Sequence, residues 1–269
     1  MHIHVRQVSR PARGERVARS SVPFERIALI SDVHGNLTAL DAVLDDIASR
    51  DVQRIINLGD FVGKGPRGSE VVDRCDKVCD VNVRGNWDDF LPTLGDDASP
   101  GMVWWRDELR PDQHEWLRSL PLSHDLLISG RHIRLFHASA TSPHVRVRAG
   151  HTAEEFEGMF ASTPMTGDGP VPSMVGYGDI HEAYLEVIQG RTLFNVGSVG
   201  NPLDEPVPGY VILEGALDAP GPAPFGLQFV RVPYDVEAEV EVATRLGMPE
   251  LKAYATELRT AVYRGLQAP

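Results

Sequence analysis

Hydrophobic residues follow two rhythms along this chain, one of continuous short runs and one of helical spacing. Residues 1–25 have neither, and carry many arginines, which predicts a poorly ordered tail. From Arg26 the pattern changes. "IALIS" (27–31) is apolar up to its last residue, as in a strand buried on both faces. Leu37, Leu40, Val43, Leu44 and Ile47 then recur at helical spacing. "RIINL" (54–58) reads as a second strand, "SEVVDRCDKV" (69–78) as a helix and "CDVNV" (79–83) as a third strand. This alternation predicts a parallel sheet with right-handed crossovers. Residues 91–120 read as a helical insertion, broken at Pro111, with Trp104, Trp105 and Trp116 packing it onto the body. The second half is rich in strands: "DLLIS", "HIRLFHA", "SMVGYG", "AYLEVI", "TLFNV", "GYVILEG" and "GLQFVRV" are short runs separated by Gly, Pro, Asn or Asp. Residues 161–173 read as a flexible loop and about 235–264 as a helix of mixed charge. The expected organisation is a tail (1–25), one domain (26–235) and a C-terminal helical segment (236–269) packed on it.

Composition narrows the function classes. The chain has 269 residues, enough for a sizeable core, and a net charge of −12. It therefore lacks the basic footprint of a non-specific nucleic-acid binder. Phosphate substrates stay open, because bound divalent ions invert the local field. No apolar stretch reaches transmembrane length, and the start has no charged-then-apolar leader pattern. The expectation is a cytoplasmic protein with no membrane partner. Cys75 and Cys79 stand at helical spacing and read as reduced thiols.

The chemistry gathers at strand ends. "LISDVHGNL" (29–37) closes its run with Asp32 and His34, two residues apart, which on a strand would share one face. A carboxylate and a neutral imidazole make half a site for a divalent metal. Four later runs end alike, in Gly59-Asp60, Gly85-Asn86, His137, and Asp179 with His181. Taken singly, each has a plain structural reading as a turn, a cap or a core histidine. Together, five successive strand ends supply oxygen or nitrogen donors, and functional groups collect at the carboxyl ends of parallel strands. Glycine precedes three of the polar residues, as where backbone crowds a ligand.

D-x-H, GD, GN, a strand-end histidine and a closing G-x-x-H, in this order, resemble the calcineurin-like metallophosphoesterase superfamily. "LGDFVGKGP" and "NVGSVGNP" further resemble its bacterial and archaeal branch of small phosphodiesterases and protein-phosphatase-like enzymes. The similarity runs from about Arg26 to Glu214. It implies a four-layer αββα sandwich of two mixed sheets and a two-metal site. Asp32, His34 and His181 would hold the first metal, Asp60 would bridge, and Asn86 and His137 would hold the second. The ions would be manganese, with iron, zinc, magnesium or nickel as alternatives. Two such ions, roughly 3.5–4 Å apart, clamp a phosphate and activate a water. The implied substrate is a phosphomonoester or phosphodiester. A protein phosphatase, a dinucleotide-polyphosphate hydrolase and a non-catalytic metal-binding protein are the alternatives.

Two positions depart from the family pattern. The usual G-H-x-H is "GDIH" here, so Asp179 stands where a second-metal histidine is expected, and as a ligand it would favour harder ions. The usual G-N-H-D/E is "GNWD", so Trp87 replaces a histidine that serves the leaving group, and an indole cannot deliver that proton. Lys64 and Arg67, in the loop after Asp60, are candidate phosphate contacts.

Overall fold

The computed structural model describes residues 24–267. The expected tail therefore lies outside the described residues up to position 23, while Phe24 and Glu25 already belong to the first strand, β1 (Phe24–Ile30). After β1 come α1 (Leu37–Ser49), β2 (Arg54–Asn57), α2 (Gly68–Val78) and β3 (Val81–Asn82). β1, β2 and β3 pair in parallel, as the alternation predicts. Three helices follow: α3 (Asn86–Phe90), α4 (Pro100–Asp107) and α5 (Pro111–Ser119). Pro111 opens α5, where its missing N–H costs nothing. The strand-rich half contributes β4 (Ser123–Ile128), β5 (Arg131–Phe136), α6 (Ala153–Met159), β6 (Met174–Tyr177), β7 (Tyr184–Ile188), β8 (Arg191–Asn195), β9 (Gly209–Ala216) and β10 (Phe225–Arg231). Helices α7 (Val236–Arg245) and α8 (Leu251–Thr260) follow.

Two five-stranded mixed sheets result, in the orders β10-β9-β1-β2-β3 and β4-β5-β6-β8-β7. The strands sort their side chains by parity. Ile27 and Leu29 of β1 join Leu126, Ile133, Leu135, Phe194 and Leu213 in a core between the sheets. Ala28 and Ile30 face the other way, onto Leu40, Val43 and Ile47 of α1 and Val71 and Val72 of α2. On the far side of the second sheet, Val175, Tyr177 and Leu193 pack on Phe156 and Met159 of α6. Helix, sheet, sheet and helix are therefore stacked as the resemblance implies.

The helical insertion is tied to the loop that follows β2. Trp105 is buried, and Trp104 and Trp116 pack against the same core. The Phe61 and Trp116 rings meet edge to face at 5.3 Å. Glu108, just past α4, accepts hydrogen bonds from the Gly68 and Ser69 amides at 2.9 and 3.1 Å. It thereby caps α2, whose own N-cap, Arg67, makes no capping bond. Burial pushes the Glu108 carboxyl up to about 7.

Two expectations change. The mixed-charge C-terminal helix is two helices, because Gly247 takes a left-handed turn (φ 66°) and Pro249 follows it. The short helix α6 was not expected. Its signal is the capping box of Thr152 and Glu155, in which the hydroxyl accepts from the Glu155 amide and the carboxylate from the Thr152 amide.

Candidate metal centre

The donors converge, although not by strand alternation. β1 ends at Ile30, and Asp32 and His34 both take left-handed backbone with φ of 54° and 46°. Asp60, Asp179 and His181 do the same at 60°, 67° and 61°. This conformation is uncommon for residues other than glycine and costs on the order of 1 kcal/mol or more each. It is held in place by the neighbouring loop. The amides of Asp32, His34 and Gly35 bond the carbonyls of Gly59, Asp60 and Phe61 at 2.8–2.9 Å, so the loops after β1 and β2 are laced together.

His34, His137 and His181 each engage a backbone carbonyl through Nδ1, from Val62, Leu58 and Asn201 respectively. That bond makes Nδ1 the donor and leaves the Nε2 lone pair facing the cluster. There His181 Nε2 lies 3.1 Å from Asp32 Oδ1 and 3.3 Å from His34 Nε2. Asp60 stands between two imidazoles, with Oδ2 3.4 Å from His34 Nε2 and Oδ1 3.4 Å from His137 Nε2. Asp32, His34 and His181 each bring one ligand atom within 4.8 Å of the others, and so do Asp32, Asp60 and His137. Asp32 is thus common to both groups, but Asp60 alone turns separate oxygens towards His34 and His137.

The cluster is buried and unsatisfied as it stands. Asp32 Oδ1, Asn86 Oδ1 and His137 Nε2 are enclosed and have no hydrogen-bond partner among the described residues. A buried polar atom without a partner costs about 1–3 kcal/mol, and two of the three sit on Asp32 and His137, members of one donor group that could hold a cation. The charges agree. Burial opposes ionisation of Asp32, yet the facing His181, His137 and His34 hold its carboxyl low. Burial also works against a charged His137, but Asp60, Asp32 and Asp179 favour positive charge on its ring and raise it to about 10, so a metal bound there would take the place of the Nε2 proton. Burial, Lys64 and His181 push His34 well below the usual histidine range.

The sequence of residues 26–216 matches the profile of the calcineurin-like phosphoesterase superfamily domain. The chain belongs to this superfamily. An uncharacterized protein of Methanocaldococcus jannaschii is 28% identical over 236 residues, covering 83% of this chain and 94% of that one. The crystal structure of a metallophosphoesterase from Sphaerobacter thermophilus is similar at 28% identity and a TM-score of 0.68, covering 88% of this chain and 99% of that chain. A hypothetical protein of Pyrococcus horikoshii shares the fold, with a TM-score of 0.71 at 18% identity over 88% and 99% of the two chains.

Within this calcineurin-like fold the other candidates separate. Lys64 reaches the cluster, its Nζ 3.3 Å from His181 Nε2 and 3.2 Å from Asn201 Oδ1, and burial pulls its ammonium down to about 8. Trp87 lines the same cleft and stands edge-on to the His34 ring at 5.7 Å. Asp179, expected as a second-metal ligand, gives both carboxylate oxygens to Arg146 at 2.8 Å. Arg67, expected at phosphate, points elsewhere: it pairs with the buried Glu239 of α7 and donates to Thr38 at 2.6 Å. Its side chain is only 15% exposed and does not line the cleft, so it is not placed to grip a ligand there. Arg67→Ala should therefore cost about 3–5 kcal/mol by stranding Glu239, while leaving phosphate affinity unchanged. Urea unfolding and phosphate titration read the two effects, and a weakened phosphate affinity in a stable variant would return Arg67 to the site.

Several positioning residues went unassigned in the sequence reading. Asp88 accepts from the amides of Asp60, Phe61 and Gly85 at 2.7–2.9 Å and so fixes the loop that carries Asp60. Burial and the neighbouring Asp60 push its carboxyl up to about 7. It is the last letter of "GNWD", and its spacing from Asn86 was a usable signal. Asn201, in "NVGSVGNP", orients both His181 and Lys64. Gly85 shows why glycine precedes the donors: a Cβ there would lie 2.2 Å from Asp60 Oδ1. Gly85→Ala should push Asp60 aside and weaken Mn²⁺ binding in calorimetry, and wild-type affinity in that variant would show that the loop has room to yield.

Proposed function

We propose that the chain is a divalent-metal-dependent phosphoesterase acting on a phosphomonoester or phosphodiester. The observation that carries this reading is the buried cluster of Asp32, His34, Asp60, His137 and His181, in which Asp32 Oδ1 and His137 Nε2 have no hydrogen-bond partner among the described residues. Asp32, His34 and His181 would hold one ion, Asn86 and His137 another, with Asp60 shared. Manganese is the first candidate for this mixed nitrogen and oxygen set, and iron, zinc, magnesium and nickel follow. When bound, such a pair supplies an activated water and neutralises charge on the phosphoryl oxygens.

The chain's own residues supply the rest. The three Nδ1 bonds hold the imidazoles in a ligating tautomer, and the Trp87 amide, donating to Asp60 Oδ1 at 2.9 Å, fixes the shared carboxylate. The cleft outside the cluster measures about 790 Å³ and is lined by Lys64, Trp87, Arg146, Arg148 and His181, among others. Its lysine and arginines suit an anionic phosphate, against the net −12 of the chain.

A second reading, metal binding without turnover, is favoured by Trp87, which offers no titratable proton to a leaving group. Metal analysis of protein purified without chelator, joined to a screen of phosphate esters with Mn²⁺, separates the two. About two ions per chain with hydrolysis supports the phosphoesterase, and two ions without hydrolysis of any ester supports the second reading.

A further inference from the structure

One buried carboxylate at the centre is spoken for. Asp179 is 2% exposed, and its two oxygens accept from Arg146 Nε and Nη2 at 2.8 Å each, a two-pronged pair. Asp179 Oδ1 lies 3.9 Å from His137 Nε2, farther out than Asp60 Oδ1 at 3.4 Å. A guanidinium on both oxygens also opposes the approach of a divalent cation from that side.

The pair is mounted rigidly at both ends. The Asp179 amide bonds Asp32 Oδ2 at 3.1 Å, which ties it to the first ligand. Val147, next to Arg146, is buried, and its carbonyl accepts from the Tyr177 hydroxyl at 2.8 Å. Tyr177 ends β6, two residues before Asp179. The same strand end thus carries the carboxylate and pins the loop that bears the arginine. The Arg146 side chain, 43% exposed, opens onto the cleft. Its guanidinium has five N–H donors, of which Asp179 occupies only two positions. Arg148 lines the same cleft and has no carboxylate partner among the described residues.

We propose that Arg146 grips the non-bridging oxygens of the substrate's phosphate, and that Asp179 is its positioning residue rather than a metal ligand. This rests on the phosphoesterase reading and extends it. A planar fork suits phosphate, and an arginine held at fixed angle gives up less freedom on binding. An aspartate at position 179 presents an arginine in a way that a histidine cannot.

The test compares Arg146→Gln, Arg146→Lys and Asp179→Asn with wild type after Mn²⁺ reconstitution. Metal content is read by mass spectrometry, inorganic phosphate affinity by calorimetry, and kcat and KM on one ester. Asp179→Asn should keep the wild-type metal content. Arg146→Gln should bind phosphate about 10–100-fold more weakly, the range of a lost charge-assisted hydrogen bond. Arg146→Lys should recover part of that loss, and Asp179→Asn should raise KM. Loss of one ion in Asp179→Asn, or wild-type phosphate affinity in Arg146→Gln, overturns the inference alone. A wild-type chain that takes up no metal and binds no phosphate overturns the phosphoesterase reading, and this inference with it.

Discussion

Asp60→Asn is expected to abolish turnover, with a loss of at least about 10³-fold, or about 4 kcal/mol of transition-state stabilisation. The reason is its place between the imidazoles. Asp60 turns one oxygen towards His34 and the other towards His137, each at 3.4 Å. A carboxylate in that position offers one negative charge to two cations, and the amide of asparagine offers none. Oδ1 already accepts the Trp87 amide, so the backbone contact can survive the substitution while the charge is lost. The variant should fold, because Asp88 still anchors the loop through the Asp60, Phe61 and Gly85 amides. Metal occupancy should fall at both sites. Two ions at wild-type affinity in Asp60→Asn would show that the shared ligand is another residue, with Asp32, common to both groups, the next candidate.

Trp87→His should raise the rate on alkyl phosphates by about 10²–10⁴-fold, the usual contribution of a positioned acid, and much less on nitrophenyl phosphates. An alkoxide needs a proton as it leaves and a nitrophenolate scarcely does. Position 87 faces the cleft and lies 5.7 Å from the His34 ring, beside the donor cluster. The indole is also a packing residue. It meets Trp105 and Phe90 at 5.8 and 5.1 Å, and Gly63 makes room for it, since a Cβ there would fall 2.1 Å from Trp87 Cε3. Imidazole leaves part of that space empty, so the rates must be compared at matched metal occupancy. Equal changes on the two ester types would sink the leaving-group argument and leave Trp87 as packing alone.

The fold was legible where local pattern and tertiary role agree. β1 reads as a doubly buried strand because it is one, between α1 on one face and the second sheet on the other. The break at Pro111 and the packing of Trp105 were equally plain. Five of the expected donors, Asp32, His34, Asp60, His137 and His181, come together because β1 and β2 run parallel in one sheet and β5 and β6 in the other, and the loops that follow them meet. What the pattern could not carry was conformation and pairing at a distance. Asp32 and His34 share a site through left-handed backbone rather than strand alternation, and nothing in a D-x-H triplet distinguishes the two. Arg67 and Arg146 look alike as loop arginines. Only the fold brings Glu239 to one and Asp179 to the other, which separates a structural ion pair from a group open to the cleft.

The central claim is that this chain hydrolyses phosphate esters with metals held by the buried cluster. The direct measurement is hydrolysis of p-nitrophenyl phosphate and bis-p-nitrophenyl phosphate by chelator-stripped protein, before and after Mn²⁺ is restored. The account predicts no turnover by the stripped protein, recovery on at least one ester as about two ions per chain bind, and no recovery in Asp60→Asn. Turnover that persists in the stripped protein, or that returns equally in Asp60→Asn, would contradict it.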